Sequence, residues 1–249
     1  MKAMILAAGL GTRLRPLTDN RPKALVEIAG RTLLEITLAR LRGFGVHEVI
    51  INVHHLADMV VEYLKANNNF GMRIEISRED VLLDTGGGLK KTAYFFLDSP
   101  EEPFLLHNVD VISTIDFHRM LQYHKERKPL ATLAVQNRYT SRHLLFNPQL
   151  ELCGRRFTED RRTELVRFSG QVQALGFCGI HIISPRLFAR MTEEGVFSII
   201  SAYLGLVSSG ERIVGFRADE YAWRDIGSVE KLTRAAQEYA QSSELSARS

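Results

Sequence analysis

Cysteine is scarce. Cys153 and Cys178 are the only two in 249 residues, and no Cys-x-x-Cys pair occurs. That count and spacing exclude a disulfide-stapled scaffold, a zinc ribbon and a dithiol redox centre. No apolar run approaches the roughly 18 residues of a membrane span. Lys and Arg number 32 against 29 Asp and Glu, a net charge of +3, yet no run of five or more basic residues marks a nucleic-acid face. The expectation is a protein with neither a nucleic-acid nor a membrane partner. The first strand-like run begins at Ala3, leaving no room for a signal peptide ahead of it, so a reducing, cytoplasmic setting is expected. Hydrophobic residues at 45% and charged residues at 24% are ordinary for a folded chain, which removes the disordered and collagen-like classes.

Strand-like and helix-like stretches alternate through the first half. Ala3 to Ala8 is a short apolar run ending in glycine, the pattern of a buried parallel strand. Thr32 is placed to cap a helix carrying Leu33, Leu34, Ile36, Leu38 and Leu41, which stops at Gly43 and Gly45. His47 to Val53, Met72 to Ser77 and Pro103 to Leu106 read as strands, with helices at Ala57 to Ala66 and Leu89 to Phe96. This order predicts an α/β fold of one domain with a doubly wound, mostly parallel sheet. In the second half Leu130 to Val135, Glu164 to Phe168 and Ala174 to Ile183 read as strands with few helices between them, so the sheet becomes mixed. Residues 147–162 are polar and turn-rich, a hairpin or insertion over one edge. Helices are expected at Pro185–Met191, Ser198–Val207 and Ser228–Ala240, with residues 241–249 as a flexible tail.

Chemistry concentrates where the first strand ends. Ala7-Ala8-Gly9-Leu10-Gly11-Thr12-Arg13 leads to Arg15 and Pro22-Lys23. Ligands of parallel sheets sit outside the carboxyl ends of the strands. Gly9 and Gly11 let backbone N–H groups approach an anion, and Arg13, Arg15 and Lys23 add cations. The plain alternative is a glycine turn with solvated cations. Neither a Walker A loop nor the GxGxxG fingerprint is present, since Lys23 lies too far from Gly11 and position 14 is Leu. Two carboxylates follow strand-like runs: Asp110, after Asn108-Val109, and Asp225, within Trp223-Arg224-Asp225-Ile226-Gly227-Ser228. Each alone reads as a cap or turn residue. Converging on a phosphate site, they suit Mg²⁺, which takes one or two carboxylates plus phosphate oxygens and water.

Together these segments resemble the signatures of the sugar-1-phosphate nucleotidyltransferases. Gly9-Leu10-Gly11-Thr12-Arg13 with Pro22-Lys23 resembles the family's GxGTR…PK element. Asn108-Val109-Asp110 resembles its Asn-Gly-Asp metal motif, and the segment from Trp223 to Ser228 its WxDIGT motif. The likeness covers essentially the whole chain. It implies a Rossmann-like core with a nucleotide half at about 1–115 and a sugar-binding half at about 116–240. It also implies NTP and a sugar 1-phosphate as substrates, and a monomer or homodimer. In that reading Arg13 and Lys23 handle the triphosphate, with Ala7, Ala8, Gly9, Gly11, Thr12 and Asn108 around the nucleotide, and Asp110 and Asp225 hold Mg²⁺.

The sequence departs from the pattern in two places. Val109 replaces a glycine, so a positive φ is costly there, and no Glu-Lys-Pro element for the sugar phosphate occurs between Glu164 and Gln173. Asp84-Thr85-Gly86-Gly87-Gly88, read as a loop before a helix, offers bare backbone for a base or ribose, or is only flexible. It resembles the Glu-Thr-Gly-Gly-Gly of N-acetylmuramate-1-phosphate uridylyltransferases of cell-wall recycling, so UTP and an amino-sugar 1-phosphate are expected. Mannose- and heptose-1-phosphate guanylyltransferases carry a similar run, with Glu79 or Asp80 as a partner for guanine. A phosphocholine-type cytidylyltransferase and a non-catalytic nucleotide-sugar sensor rank lower; a sensor would be expected to lose Lys23 or a carboxylate. Gly176 and Gly179 either admit the sugar or relieve crowding in a strand. Trp223 either stacks on ligand or packs beneath Asp225. His54-His55 point to opposite faces of an extended chain and do not make a metal pair.

Overall fold

The computed structural model describes residues 1–167 and 170–246. The chain opens with β1 (Lys2–Leu6), β2 (Glu27–Ile28), β3 (Arg31–Thr32) and α1 (Leu33–Gly43). Next come β4 (Glu48–Val53), α2 (Ala57–Ala66), β5 (Arg73–Arg78), α3 (Asp84–Lys91), the single-turn α4 (Tyr94–Leu97), β6 (Phe104–Asn108), β7 (Val111–Ser113) and α5 (Phe117–Arg127). Then follow β8 (Ala131–Gln136), β9 (Arg142–Phe146), β10 (Leu152–Phe157), β11 (Thr163–Leu165) and β12 (Gln173–Ile183). The described chain closes with α6 (Ile199–Ser208), β13 (Ile213–Arg217), β14 (Trp223–Asp225) and α7 (Val229–Ser246).

β1 lies between β6 and β4, and β5 pairs with β4, all parallel. Against β6 the long β12 runs antiparallel through Ile180–Ile183, with β8 antiparallel on its other side and β13 parallel to β8. The leading residues of β12, Gln173 to Gly176, pair instead with β9, from which β10 and β11 continue antiparallel. The single mixed sheet expected from the strand–helix order is therefore present, parallel in the first half and largely antiparallel in the second. The polar stretch 147–162 contains the β9–β10 turn and β10 itself.

Side-chain alternation explains why both faces need cover. On β1, Ala3 and Ile5 face the core beneath α1, while Met4 faces a second core with Leu89, Phe96 and Tyr203. β4 repeats the pattern with Val49 and Ile51 on one face and Ile50 on the other. α1 begins where Thr32 Oγ1 accepts the Glu35 amide at 3.0 Å, and it buries Leu33, Leu34, Leu38 and Leu41. Each such leucine contributes about 1.5–3 kcal/mol.

Several boundaries differ from expectation. The helix expected at Leu89 begins at Asp84, so the glycine run is helical and not a loop, and α4 is a separate turn. Pro185 to Leu187 forms only a 3₁₀ turn, followed by turn bonds from the Arg190 and Met191 amides to the Leu187 carbonyl. β11 ends at Leu165, and Phe168 lies outside the described residues. α7 continues through Ser246, past the point where the flexible tail was expected to begin, and residues 247–249 lie outside the described residues. α5, β9 and β13 are elements that the strand and helix patterns did not reveal.

Candidate active site

A cleft of about 390 Å³ opens at the carboxyl ends of β1, β4 and β6. Ala7, Ala8 and Gly9 form one wall, Asn108, Val109 and Asp110 a second, and Asp84 and Thr85 a third, with Lys23 projecting in. A Cβ built on Gly9 would touch nothing within 4 Å, so open space lies directly over the backbone there. Gly11 has a left-handed φ of 66° and caps the 3₁₀ turn Thr12–Leu14; Thr18 Oγ1 donates to its carbonyl at 2.9 Å. Gly11 and Thr12 therefore shape the loop from outside the cleft wall. A larger cavity, about 580 Å³ between α1, β7, β14 and α7, holds neither aspartate nor the glycine loop.

The two aspartates, far apart in sequence, are brought to neighbouring backbone positions by a small antiparallel ribbon. β14 pairs with β7 so that Asp225 lies opposite Val111, and the Ile226 amide donates to the Asp110 carbonyl at 2.7 Å. Lys23 Nζ pairs with Asp110 Oδ2, the side chains only 13% and 20% exposed. Lys231 Nζ pairs with Asp225 Oδ2. Arg13 arrives from the β1 loop: a Cβ on Gly227 would lie well under 3.0 Å from Asp225 Oδ1 and 3.0 Å from an Arg13 guanidinium nitrogen. The bare α-carbon of Gly227 thus lets Arg13 and Asp225 pack on the same spot. Val109 meets the missing-glycine problem without strain. It is not among the residues of positive φ, its amide donates to the Leu6 carbonyl at 3.1 Å, and its side chain is buried in the core.

Asp225 Oδ1 is buried and has no hydrogen-bond partner. An orphaned carboxylate oxygen is costly in a protein interior, and a divalent cation at this place would satisfy it. Asp110 and Asp225 offer oxygen donors alone, the set that suits Mg²⁺, and the residues present fit that ion.

The glycine run acts differently from its expected role. Cβ atoms on Gly86 and Gly87 would lie well under 3.0 Å from the Phe197 ring and the Gly195 carbonyl, and one on Gly88 would sit 2.7 Å from Glu79 and 2.8 Å from Asn52. The amides of Gly86 and Gly87 donate to the Phe197 carbonyl at 2.9 and 3.2 Å. Gly86 and Gly87 are therefore covered by protein and unavailable as a platform for a base; they let α3 pack under the 195–198 segment and set Asp84 and Thr85 at the cleft edge. On the sugar side, Gly179 has a φ of 71° at an irregularity in the β12–β8 register and leaves room for Asn108. Gly176 is packed against Arg138. Trp223 packs rather than waits for ligand: its Nε1 donates to the Cys178 carbonyl at 2.7 Å, and the Arg138 guanidinium lies 3.9 Å from its ring centre.

One residue lining the cleft, Asn52, escaped the sequence reading, and Glu79, expected as a partner for guanine, is bonded to it. Asn52 is 2% exposed; its Oδ1 accepts the Ala7 amide and its Nδ2 donates to Glu79 Oε1, both at 2.8 Å. Glu79 is 4% exposed, and its Oε2 accepts the Leu83 amide at 2.9 Å. Glu79 is buried and bonded inside the protein through both oxygens, and it is not among the residues lining the cleft. The available signal was one amide inside the apolar run Val49-Ile50-Ile51-Asn52-Val53. His54 Nδ1 donates to the Glu79 carbonyl at 2.8 Å. Both cysteines are buried and unbridged, and burial pushes the Cys178 thiol up to about 12, which leaves it inert as a nucleophile. Arg142 is exposed at the start of β9, away from the cleft.

Opposed charges lining a cleft at the strand ends suit transfer between two phosphates, and the class this fold and site define is the sugar-1-phosphate nucleotidyltransferases. The chain belongs to the nucleotidyl transferase family, whose model matches residues 2–143. An N-acetylmuramate α-1-phosphate uridylyltransferase of Caulobacter vibrioides is 35% identical over 233 residues, 90% of this chain and 91% of that one. A mannose-1-phosphate guanyltransferase of Aspergillus fumigatus is 37% identical over 234 residues, 91% of this chain but 61% of that one. The crystal structure of a UDP-glucose pyrophosphorylase complexed with UDP-glucose superposes with a TM-score of 0.77 at 18% identity, over 97% and 98% of the two chains. Among the described residues no helix is long and apolar enough to cross a membrane.

Proposed function

We propose that this enzyme transfers a uridylyl group from UTP to an N-acetylated amino-sugar 1-phosphate and releases pyrophosphate. The observation that carries the choice of base is Glu79, buried with both oxygens engaged by Asn52 and the Leu83 amide. Of the two acids the sequence offered to the guanine donors, Glu79 is thereby turned inward, while Asp80 is exposed. The uridylyltransferase relative, matched over nine-tenths of both chains, supports the same choice and the amino-sugar acceptor.

The acceptor's phosphate oxygen attacks the α-phosphorus in line, and pyrophosphate leaves from the opposite side. That oxygen is an anion at neutral pH, so no general base is needed, and the difficulty is repulsion between two polyanions. Lys23 exchanges Asp110 for phosphate oxygens as the triphosphate enters over Gly9, and Arg13 adds a second cation from the same loop. The site acts by positioning and electrostatics. Mg²⁺, held by Asp110 and Asp225, supplies further neutralisation of the phosphate oxygens when bound.

A second reading, guanylyl transfer to mannose 1-phosphate, is favoured by Asp84. Its carboxylate lies at the cleft edge, where Oδ1 accepts the Thr85 amide at 2.6 Å. It is an acid in reach of a base. The deciding experiment is pyrophosphate release with Mg²⁺ from UTP, GTP, CTP and ATP, each with N-acetylmuramic acid, mannose and heptose 1-phosphates. A site that hydrogen-bonds its base discriminates by about 10⁴-fold or more. UTP with the amino-sugar phosphate is the expected best pair. A GTP preference overturns the uridylyl assignment, and release from no pair replaces enzyme by nucleotide-sugar sensor.

A further inference from the structure

Lys231 belongs to none of the three recognised motifs, yet it makes the one side-chain bond described for the Asp225 carboxylate, to Oδ2. Its placement is unfavourable for a helix. It is the third residue of α7, where a cation opposes the positive end of the helix dipole. Its amide faces the Ser228 hydroxyl at 3.4 Å, which fixes the stem beside the site. The pair differs from its counterpart at Asp110 in one respect: the Lys231 side chain is 49% exposed, whereas that of Lys23 is 13% exposed. A solvent-facing ammonium on a four-carbon stem is easily displaced. The other oxygen of Asp225, Oδ1, is buried and orphaned beside Arg13. Asp225 thus offers one oxygen waiting for a cation and one held by a cation free to leave.

Once a divalent ion neutralises Asp225, the ammonium needs another anion. The acceptor's phosphate is one such anion, and the chain lacks the Glu-Lys-Pro element that would otherwise hold it. We propose that Lys231 holds Asp225 while the metal site is empty and passes to the phosphate of the sugar 1-phosphate when the ion loads, making it a further acceptor-binding residue. This rests on the nucleotidyl-transfer reading and deepens it.

The test uses Lys231→Met, which keeps the stem and removes the charge at a half-exposed position, and Lys231→Arg. Mn²⁺ is titrated by electron paramagnetic resonance into the intact, nucleotide-free protein. Loss of a competing ammonium is expected to tighten Mn²⁺ binding about two- to five-fold, the span that an exposed ion pair supplies. In steady state, with whichever of N-acetylmuramic acid 1-phosphate and mannose 1-phosphate the wild type turns over, Lys231→Met should raise the acceptor KM about tenfold or more. That is the worth of a hydrogen bond to a charged group. The NTP KM should stay within about twofold, and Lys231→Arg should recover most of the loss, since both cations bind phosphate. A passive surface pair would shift the Mn²⁺ affinity alone and leave the acceptor KM unchanged. Unchanged Mn²⁺ affinity or an unchanged acceptor KM overturns the proposal while the wild type still makes product. A wild type that makes none overturns the nucleotidyl-transfer reading, and this inference with it.

Discussion

Replacing Gly87 by alanine separates two roles for the glycine run. Were the run an open platform for the base, a methyl group there would weaken nucleotide binding and leave stability untouched. In the fold Gly87 is inside α3, where alanine by itself favours the helix by about 1 kcal/mol. Against that gain stands the Gly195 carbonyl, well under 3.0 Å from the new Cβ, with Leu83 at 3.1 Å. The obstruction is backbone, and it cannot swing aside as a side-chain tip would. The 195–198 segment must lift, straining the bonds from Gly86 and Gly87 to the Phe197 carbonyl, from the Phe197 amide to Leu83 at 3.2 Å, and from the Ile199 amide to Thr85 Oγ1 at 3.0 Å. Overpacking costs about 1–3 kcal/mol, and each weakened bond adds up to about 1 kcal/mol. The steric cost wins, and Gly87→Ala should be destabilised by about 1–3 kcal/mol in urea unfolding followed by circular dichroism. Nucleotide affinity should fall as well, because Val196 of the displaced segment lines the cleft. A variant as stable as the wild type, or more stable, refutes the packing account.

Two further outcomes follow from the same structure. Burial lowers His107 and His124 to about 4 and His181 to about 3. All three are therefore neutral in the fold, whereas the unfolded chain protonates near pH 6.5. Stability is full above about pH 6.5 and is lost as pH falls toward 4, with a slope of up to about 1.4 kcal/mol per pH unit for each group. The urea midpoint should drop steeply between pH 7 and pH 5, and a flat profile contradicts these burials. Arg13→Ala and Lys23→Ala should each lower turnover about 10²- to 10³-fold in a pyrophosphate-release assay, with far smaller changes in melting temperature. Full turnover in either variant removes that residue's role.

What the sequence made legible was local. β1, β4 and β5 are continuous or alternating apolar runs, and α1 carries its own cap at Thr32, so pattern and fold agree. Three glycines read as a loop because each disfavours a helix. They are glycine because Phe197, Gly195 and Glu79 fill the space a side chain would need, and Phe197 and Gly195, more than 100 positions away, leave no local trace. α5 escaped because its buried face is only Phe117, Met120 and His124 among charged neighbours. Motifs identified Asp110 and Asp225 singly, but their meeting depends on the β7–β14 ribbon, whose strands are three residues each. Asn52 looked like a strand residue and Glu79 like a partner for guanine until the fold paired them with each other.

The central claim is that Asp110, Asp225, Lys23 and Arg13 form one phosphate-handling centre at the strand ends. It is tested most directly by a crystal structure with UDP-sugar and Mn²⁺, the ion located from its anomalous signal. The account predicts one peak with oxygens of both Asp110 and Asp225 at about 2.0–2.6 Å, and Lys23 on a product phosphate. A peak bound by neither or only one of the aspartates, or carboxylates held more than about 8 Å apart around the bound product, too far for one ion with bonds of about 2 Å to span, contradicts it.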